Sequence, residues 1–256
     1  MKTVYGPVSS WRLGRSFGID LICRARKICS FDCIYCQLGK IGRKTLERKV
    51  YVQTEKVLKD LEEVLPKIKA DVITFSGTGE PTLAKNLEEI IDFLRRKTSL
   101  TLAILTNSTL FFDEEVQKAL NKLDIVVAKL DAFDENSFKK INRSVKGISF
   151  EKYLQGINSF RKNYSGKFVL QVMFIKENKN FAGKIAKISR DIKPDEIQIN
   201  TPLRPCGVQP LTKDEIKKIK EIFSGFKNVK YVYDAEKPEV HPISLEEVQK
   251  RKRPKP

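Results

Sequence analysis

Cys29-Ser30-Phe31-Asp32-Cys33-Ile34-Tyr35-Cys36 places three thiols within eight residues, at CxxxCxxC spacing. A loop this short turns its thiolates to one side. With no fourth cysteine following at metal-finger spacing, the set suits a 4Fe-4S cluster in which the protein ligates three irons. The fourth iron is left open, as it must be if the metal is to bind a ligand as well as hold structure. Two plainer readings compete: three buried small hydrophobes, or zinc with Cys23 as a fourth ligand. Zinc sites come as two CxxC-like pairs across a longer spacer, and the step from Cys23 to Cys29 does not supply one.

The motif, with the aromatic Tyr35 just before its last cysteine, resembles the signature of the radical S-adenosylmethionine (radical SAM) superfamily. The resemblance implies that the open iron chelates the amino and carboxylate groups of SAM. An electron then enters the sulfonium, and the resulting 5'-deoxyadenosyl radical takes a hydrogen atom from the substrate. The flanking runs Tyr5-Gly6-Pro7-Val8-Ser9-Ser10-Trp11-Arg12-Leu13-Gly14-Arg15-Ser16-Phe17-Gly18-Ile19-Asp20 and Gln37-Leu38-Gly39 resemble a narrower group, related to the wyosine synthases that act on tRNA. Wyosine synthases carry cysteines for a second cluster and a tryptophan after the last motif cysteine. Here Gln37 holds that place and only Cys23 and Cys206 are spare, so wyosine synthesis is not expected.

At 256 residues the chain is long enough for one large domain, and its 41% hydrophobic and 32% charged residues are a globular balance. The start, Met1-Lys2-Thr3-Val4-Tyr5-Gly6-Pro7, has no apolar targeting core, and no run approaches membrane-spanning length. A cytoplasmic protein with no membrane partner is expected, its five cysteines reduced and not paired as disulfides. The formal charge of +17 comes from 49 Lys and Arg against 32 Asp and Glu. Thermophile-like surfaces raise Lys and Glu together, so this excess of bases favours a polyanionic partner such as RNA. His241, the sole histidine, stands between Pro238 and Pro242 in a loop-like stretch, which argues against Ser-His-Asp or Cys-His hydrolysis.

Short β-branched runs at 17–22, 71–75, 100–105, 124–130, 168–175 and 196–199 alternate with helical patterns, and 231–233 reads as one more short strand. Val57, Leu61, Val64 and Ile68 share one helix face, as do Leu87, Ile90, Ile91 and Leu94, then Phe150, Tyr153, Leu154 and Ile157. Thr212 and Glu215 form a capping box ahead of Ile216, Ile219, Ile222 and Phe223. The rhythm predicts an α/β fold with a parallel sheet. Polar residues fall just after the runs: the cysteine loop, Ser76 to Glu80, Thr106-Asn107-Ser108, Asp131 and Asn200. Barrel sites are built at the carboxyl ends of strands, so the expectation is a partial, six-stranded parallel β/α barrel, the fold the resemblance also implies. Residues 1–235 are assigned to that barrel and 236–256 to a basic C-terminal extension.

In Ser76-Gly77-Thr78-Gly79-Glu80, glycines allow close backbone approach. By resemblance, Thr78-Gly79-Glu80 matches the glycine-glycine-glutamate stretch that binds the amino group of SAM, with Thr78 in place of the first glycine. A dinucleotide loop beginning at Gly77 fails at its third glycine, where Thr82 stands. The resemblance adds Asn107 as a ribose contact or as a residue that orders the neighbouring loop, and Tyr35 beside the adenine. It also places an aspartate at Asp131, whose alternation with Lys129 allows an ion pair. Gln171, Gln198 and Asn200 alternate with apolar neighbours and should face the barrel interior, where adenine and ribose would satisfy them. No catalytic acid or base is assigned. Arg12, Arg15, Arg24, Arg26 and Lys27 near the cysteines and the tail bases Lys250, Arg251, Lys252, Arg253 and Lys255 could touch phosphates.

The expected function is therefore a radical SAM enzyme that cleaves SAM at a 4Fe-4S cluster and abstracts hydrogen from a macromolecule, RNA and foremost tRNA. It would draw electrons from an external donor such as ferredoxin or flavodoxin. The alternative is a radical activator or modifier of a partner protein.

Overall fold

The computed structural model describes residues 1–39, 41–234 and 238–251. The chain opens with a hairpin of β1 (Val4–Ser10) and β2 (Gly14–Ile19), and two short strands, β3 (Lys27–Cys29) and β4 (Ile41–Lys44), then bracket the cysteine loop. A β/α alternation follows: α1 (Thr54–Val64), β5 (Val72–Phe75), α2 (Leu87–Lys97), β6 (Thr101–Thr106), α3 (Glu114–Leu120) and β7 (Ile125–Lys129). Next come α4 (Glu135–Ser137), α5 (Phe150–Asn163), β8 (Lys167–Met173), α6 (Ala182–Ile192) and β9 (Glu196–Asn200), then α7 (Lys213–Ile222), β10 (Val229–Tyr231) and α8 (Leu245–Lys250).

The main sheet has eight strands in the order β1-β2-β5-β6-β7-β8-β9-β10, and every pair from β2 onward is parallel. A doubly wound sheet reverses its strand order at a switch point, whereas a barrel keeps chain order around its wall. The unreversed order is that of a barrel, and because β1 and β10 are its unpaired edges the wall stays open between them. The six expected strands are present as β2, β5, β6, β7, β8 and β9, and the short strand near Tyr231 is β10. The count of six is corrected to eight by β10 and by β1, which pairs antiparallel with β2. Pro7 hides β1 in the sequence because proline cannot donate to a ladder. It is tolerated here since β1 is an edge strand, with a register shift between Tyr5 and Val8.

The helix faces pack as the periodicity requires. Val57, Leu61 and Val64 of α1, Leu87, Ile90, Ile91 and Leu94 of α2, and Phe150, Tyr153 and Ile157 of α5 are all buried in one core, whereas Leu154 is partly buried and Ile68, expected on the first face, falls beyond α1 after a 3-10 turn at Leu65–Lys67 and packs only partly against the core. Each of the buried side chains contributes about 1.5–3 kcal/mol by leaving water. On α7 the capping box forms, with Thr212 Oγ1 accepting from Glu215 N at 3.2 Å and Thr212 N donating to Glu215 Oε2 at 2.8 Å. Ile216, Ile219 and Phe223 are buried there, but Ile222 is 42% exposed, since it falls a quarter-turn off the inward face.

Among the described residues, no helix is long and apolar enough to cross a membrane. Near the C-terminus, Ile243 N donates to Gly6 O at 2.8 Å, and α8 then lies along β1. This return brings Arg251 into the interior. Lys252, Arg253 and Lys255 of the basic tail lie outside the described residues.

Candidate active site

A cavity of about 540 Å³ opens at the carboxyl ends of the strands. That volume is of the size that takes a cofactor-sized molecule. Cys29, Cys33, Tyr35, Cys36, Ser76, Gly77, Gly79, Glu80, Asn107 and Asn200 all line it, so the cysteine loop and the ends of β5, β6 and β9 converge on one chamber, as the βα loops of a barrel should. Thr78 and Asp131, also expected here, stand behind the wall. Gln171 lines the chamber too, whereas Gln198 lines a second cavity at the opposite end of the strands.

The cysteine loop is held by backbone bonds along its length. Asp32 N and Ile34 N donate to the carbonyls of Asn142 and Ile141, Val145 N donates to Ser30 O, and Cys36 N closes a turn onto Cys33 O. Asn142 and Ile141 belong to a π-helical turn, Phe138–Asn142, which follows α4. Asn142 Nδ2 also reaches Cys33 Sγ at 3.7 Å and Asp131 Oδ2 at 3.2 Å, a role its sequence context gave no sign of. On the other side, Asn107 Nδ2 donates to Cys29 Sγ at 3.3 Å and to Ser30 Oγ at 2.8 Å. Asn107 therefore ties the end of β6 to the cysteine loop.

Glu80 is buried with both oxygens engaged. Oε1 accepts from Thr82 N at 3.2 Å, Thr82 Oγ1 at 2.8 Å and Thr106 Oγ1 at 2.7 Å, while Oε2 accepts from Asn107 N at 2.7 Å. Burial raises the Glu80 pKa above the ordinary 4.5, against the pull of these hydrogen bonds. The nearby glycines are demanded by the protein's own packing. A Cβ on Gly79 would stand 2.0 Å from Ile28 O, the carbonyl that accepts from Glu80 N, and a Cβ on Gly77 would stand 2.2 Å from Asp20 Cγ.

Asp20 is the hub that the sequence analysis missed. Fully buried at the end of β2, it accepts from Cys23 N at 2.8 Å, Ile22 N at 3.2 Å, Thr78 N at 3.1 Å and Arg251 Nε at 3.2 Å. Thr78 thus acts from behind the wall, tied to Asp20 while its neighbours Gly77 and Gly79 face the chamber. The available signal was a lone aspartate closing an apolar run, at the strand end where barrel sites are built. Asp131 is similarly committed: it accepts from Tyr35 OH, from Met173 N at 2.7 Å and from Asn142 Nδ2, with Lys129 Nζ 3.7 Å away. The expected pairing with Lys129 is present but long, and the Lys129 ammonium also sits 4.8 Å from the Tyr35 ring centroid.

Burial pushes the thiols of Cys29 and Cys33 up, Cys33 to about 11. Such thiols become thiolates when a metal takes the proton's place. Lys27 is buried beside them and pairs with Asp32 at 3.0 Å. Burial opposes its charge, but the pull of Cys36, Cys29 and Cys33 in their ionised form and the hydrogen bond to Asp32 raise its pKa regardless. A buried cation next to a three-thiolate loop fits an anionic cluster. Among the described residues no three His, Cys, Asp or Glu side chains form a cage for a single ion. A four-iron cluster makes no such demand, because each iron takes its own cysteine. Gln171 Nε2, buried on the chamber wall without a partner, is a donor held ready for a ligand. Donor set, glycine cradle and orphaned amide all fit a cluster with a cofactor beside it. Of the spare cysteines, Cys23 turns its sulfur to Lys2 O at 3.4 Å, and Cys206 turns its own to Val208 O at 3.3 Å.

A partial parallel barrel with a three-cysteine loop beside a glycine-lined cradle is the frame of an enzyme that couples a metal cluster to a small-molecule cofactor. The sequence profile of the Radical SAM superfamily matches residues 26–187, more than half of the chain, and the chain belongs to that superfamily. It is 41% identical over 207 residues to a UPF0026 protein of Synechocystis, covering 80% of this chain and 77% of the relative. Among solved structures, archaeal TYW1 superposes with a TM-score of 0.55 at 17% identity, covering 84% of this chain and 72% of that one. Streptococcus suis SuiB, solved with its precursor peptide SuiA, superposes with a TM-score of 0.60 at 13% identity, covering 81% of this chain and about half (48%) of SuiB. At these identities the two structures share the fold with this chain. The protein is a radical SAM enzyme, with a 4Fe-4S cluster and SAM as its cofactors.

Proposed function

We propose that this enzyme cleaves SAM reductively and takes a hydrogen atom from RNA, foremost tRNA. The observation that carries the substrate is the charge, 49 Lys and Arg against 32 Asp and Glu, well beyond what a solvated surface needs. Cys29, Cys33 and Cys36 hold three irons. Ser76, Gly77, Gly79 and Glu80 receive the amino end of SAM, and Tyr35, Gln171 and Asn200 line its adenosine side. Thr78 and Asp131 act from behind, fixing the cradle and Tyr35, while Asn107, on the chamber wall, fixes the cysteine loop. When bound, the cluster supplies the electron that splits SAM and so generates the hydrogen-abstracting radical. Lys27 offsets negative charge at the loop, and the apolar wall of Phe31, Leu105 and Val127 keeps water from the reacting atoms. The reaction is placed in the cytoplasm, where thiols stay reduced, with a ferredoxin or flavodoxin as electron donor.

Two measurements test the reading. Binding to tRNA should weaken linearly in log salt, by about 0.7 to 0.9 per phosphate contact. Reduced enzyme with SAM, offered separately deuterated bulk RNA and bulk protein, should carry deuterium into 5'-deoxyadenosine from the RNA pool alone. Label from the protein pool alone would make the enzyme a modifier of a partner protein.

A further inference from the structure

Five cationic side chains line the chamber, Arg12, Lys27, Lys129, Arg204 and Arg251, against a single acid, Glu80. Three of the five are answered: Lys27 by Asp32, Lys129 by Asp131, and Arg251 by Asp20 and Glu247. Glu80 is taken up by Thr82, Thr106 and Asn107. Among the described residues, no carboxylate acts on Arg12 or Arg204. Arg12 rises from the turn between β1 and β2, its guanidinium carbon 5.5 Å from the Trp11 ring centroid and its Nε buried without a partner. Arg204 comes from the loop after β9, its Nε donating to Gln37 Oε1 at 3.0 Å. Burial draws the Arg12 pKa down to about 10, and the charge of Arg204 adds to that. Two guanidinium groups that line one chamber, neither answered by a carboxylate among the described residues, leave a place for an anion.

We propose that Arg12 and Arg204 form a seat for a phosphate group of the substrate. A carboxylate is satisfied by one guanidinium fork, whereas two forks and two charges match the several oxygens and higher charge of a phosphate. Arg204 follows the carboxyl end of β9, and Arg12, from the turn that precedes β2, lines both this chamber and the cavity at the opposite end of the strands. The inference rests on the RNA reading for the source of the phosphate. A base inside a duplex cannot reach an enclosed chamber, so its nucleotide must be turned out of the stack, and a seat for its phosphate would hold it there.

The test uses the full-length protein with inorganic pyrophosphate, tRNA and SAM as separate probes, each followed by titration calorimetry. Arg12→Gln and Arg204→Gln should each weaken pyrophosphate binding about ten-fold or more. The double variant should flatten the tRNA salt dependence by roughly two contacts' worth of slope. SAM affinity should not change. Arg204 lies on an exposed loop, so Arg204→Gln reports even if Arg12→Gln disturbs the fold. Pyrophosphate bound equally by wild type and Arg204→Gln overturns the seat, as does a loss of SAM affinity, which would give the pair to the cofactor's carboxylate. Pyrophosphate held by the pair while tRNA fails to bind keeps the seat and removes the RNA reading. A tRNA slope untouched by the double variant keeps the RNA reading and removes the seat.

Discussion

Arg251→Gln is expected to lower the unfolding free energy by about 3–5 kcal/mol, the usual consequence of removing one partner from a buried ion pair. The Arg251 and Asp20 side chains are only 4% and 1% exposed. The guanidinium also donates from Nη1 to Glu247 Oε2 at 3.0 Å and from Nη2 to Lys2 O, and its carbon lies 4.5 Å from the Tyr5 ring centroid. Glutamine can replace only part of this, and it leaves the Asp20 charge buried. In a chain of this size the loss should bring the melting temperature down on the order of 10 °C. A second consequence reaches the cofactor. Asp20 holds Thr78 N, and Tyr5 OH bonds Ser76 Oγ at 2.7 Å, so Arg251 braces the cradle loop at its start and at its middle. SAM affinity should therefore fall along with stability. Thermal melts of Arg251→Gln, Asp20→Asn and the double variant check the pairing, and the double should cost less than the sum of the singles. A melt of Arg251→Gln within about 0.5 kcal/mol of wild type would mean that α8 does not close over the chamber in this way.

Glu80→Ala should weaken SAM binding ten-fold or more, since a charge-assisted bond to the ammonium contributes about 1.5–3 kcal/mol. The structure adds a stability cost. Removing the carboxylate strips Thr82 N and Asn107 N of their acceptor, at roughly 1–3 kcal/mol for each donor left buried and unpaired. Glu80→Gln separates the two effects, because it keeps the shape and an acceptor while losing the charge. It should retain most of the stability and little of the affinity. The pH dependence carries opposite signs for the two properties. Burial raises the Glu80 pKa above 4.5, so its contribution to folding is present below that value and is lost as pH rises through the folded value. Affinity for SAM needs the ionised carboxylate and should grow over the same window. SAM titrations and melts across that window check both slopes, and affinity independent of pH there removes Glu80 from the cofactor site.

What the sequence revealed and what it hid divide along physical lines. Periodic burial is written in every window of a strand or helix, so β2, β5 to β9 and the faces of α1, α2 and α5 could be read from residue type alone. The Thr212 and Glu215 box was legible for the same reason: its partners are three residues apart. Long-range polar contacts leave no such trace. Nothing near Asn142 in sequence shows that it will meet Cys33, 109 positions away. Arg251 was hidden by its setting in a run of terminal bases, which in most chains is solvated. Here Asp20, 231 residues earlier, draws it inside. Glu80 and Asn107 were placed at the chamber by resemblance, but their bond to each other, which couples the cradle to the cysteine loop, is visible only in three dimensions.

The most direct test of the account is iron itself. Protein purified and reconstituted without oxygen should be brown and carry a four-iron cluster, and replacing Cys29, Cys33 and Cys36 together by alanine should leave it colourless and free of iron while Cys23 and Cys206 remain. Iron retained at wild-type levels by that triple variant would contradict the assignment of the cluster to this loop, and with it the mechanism built around it.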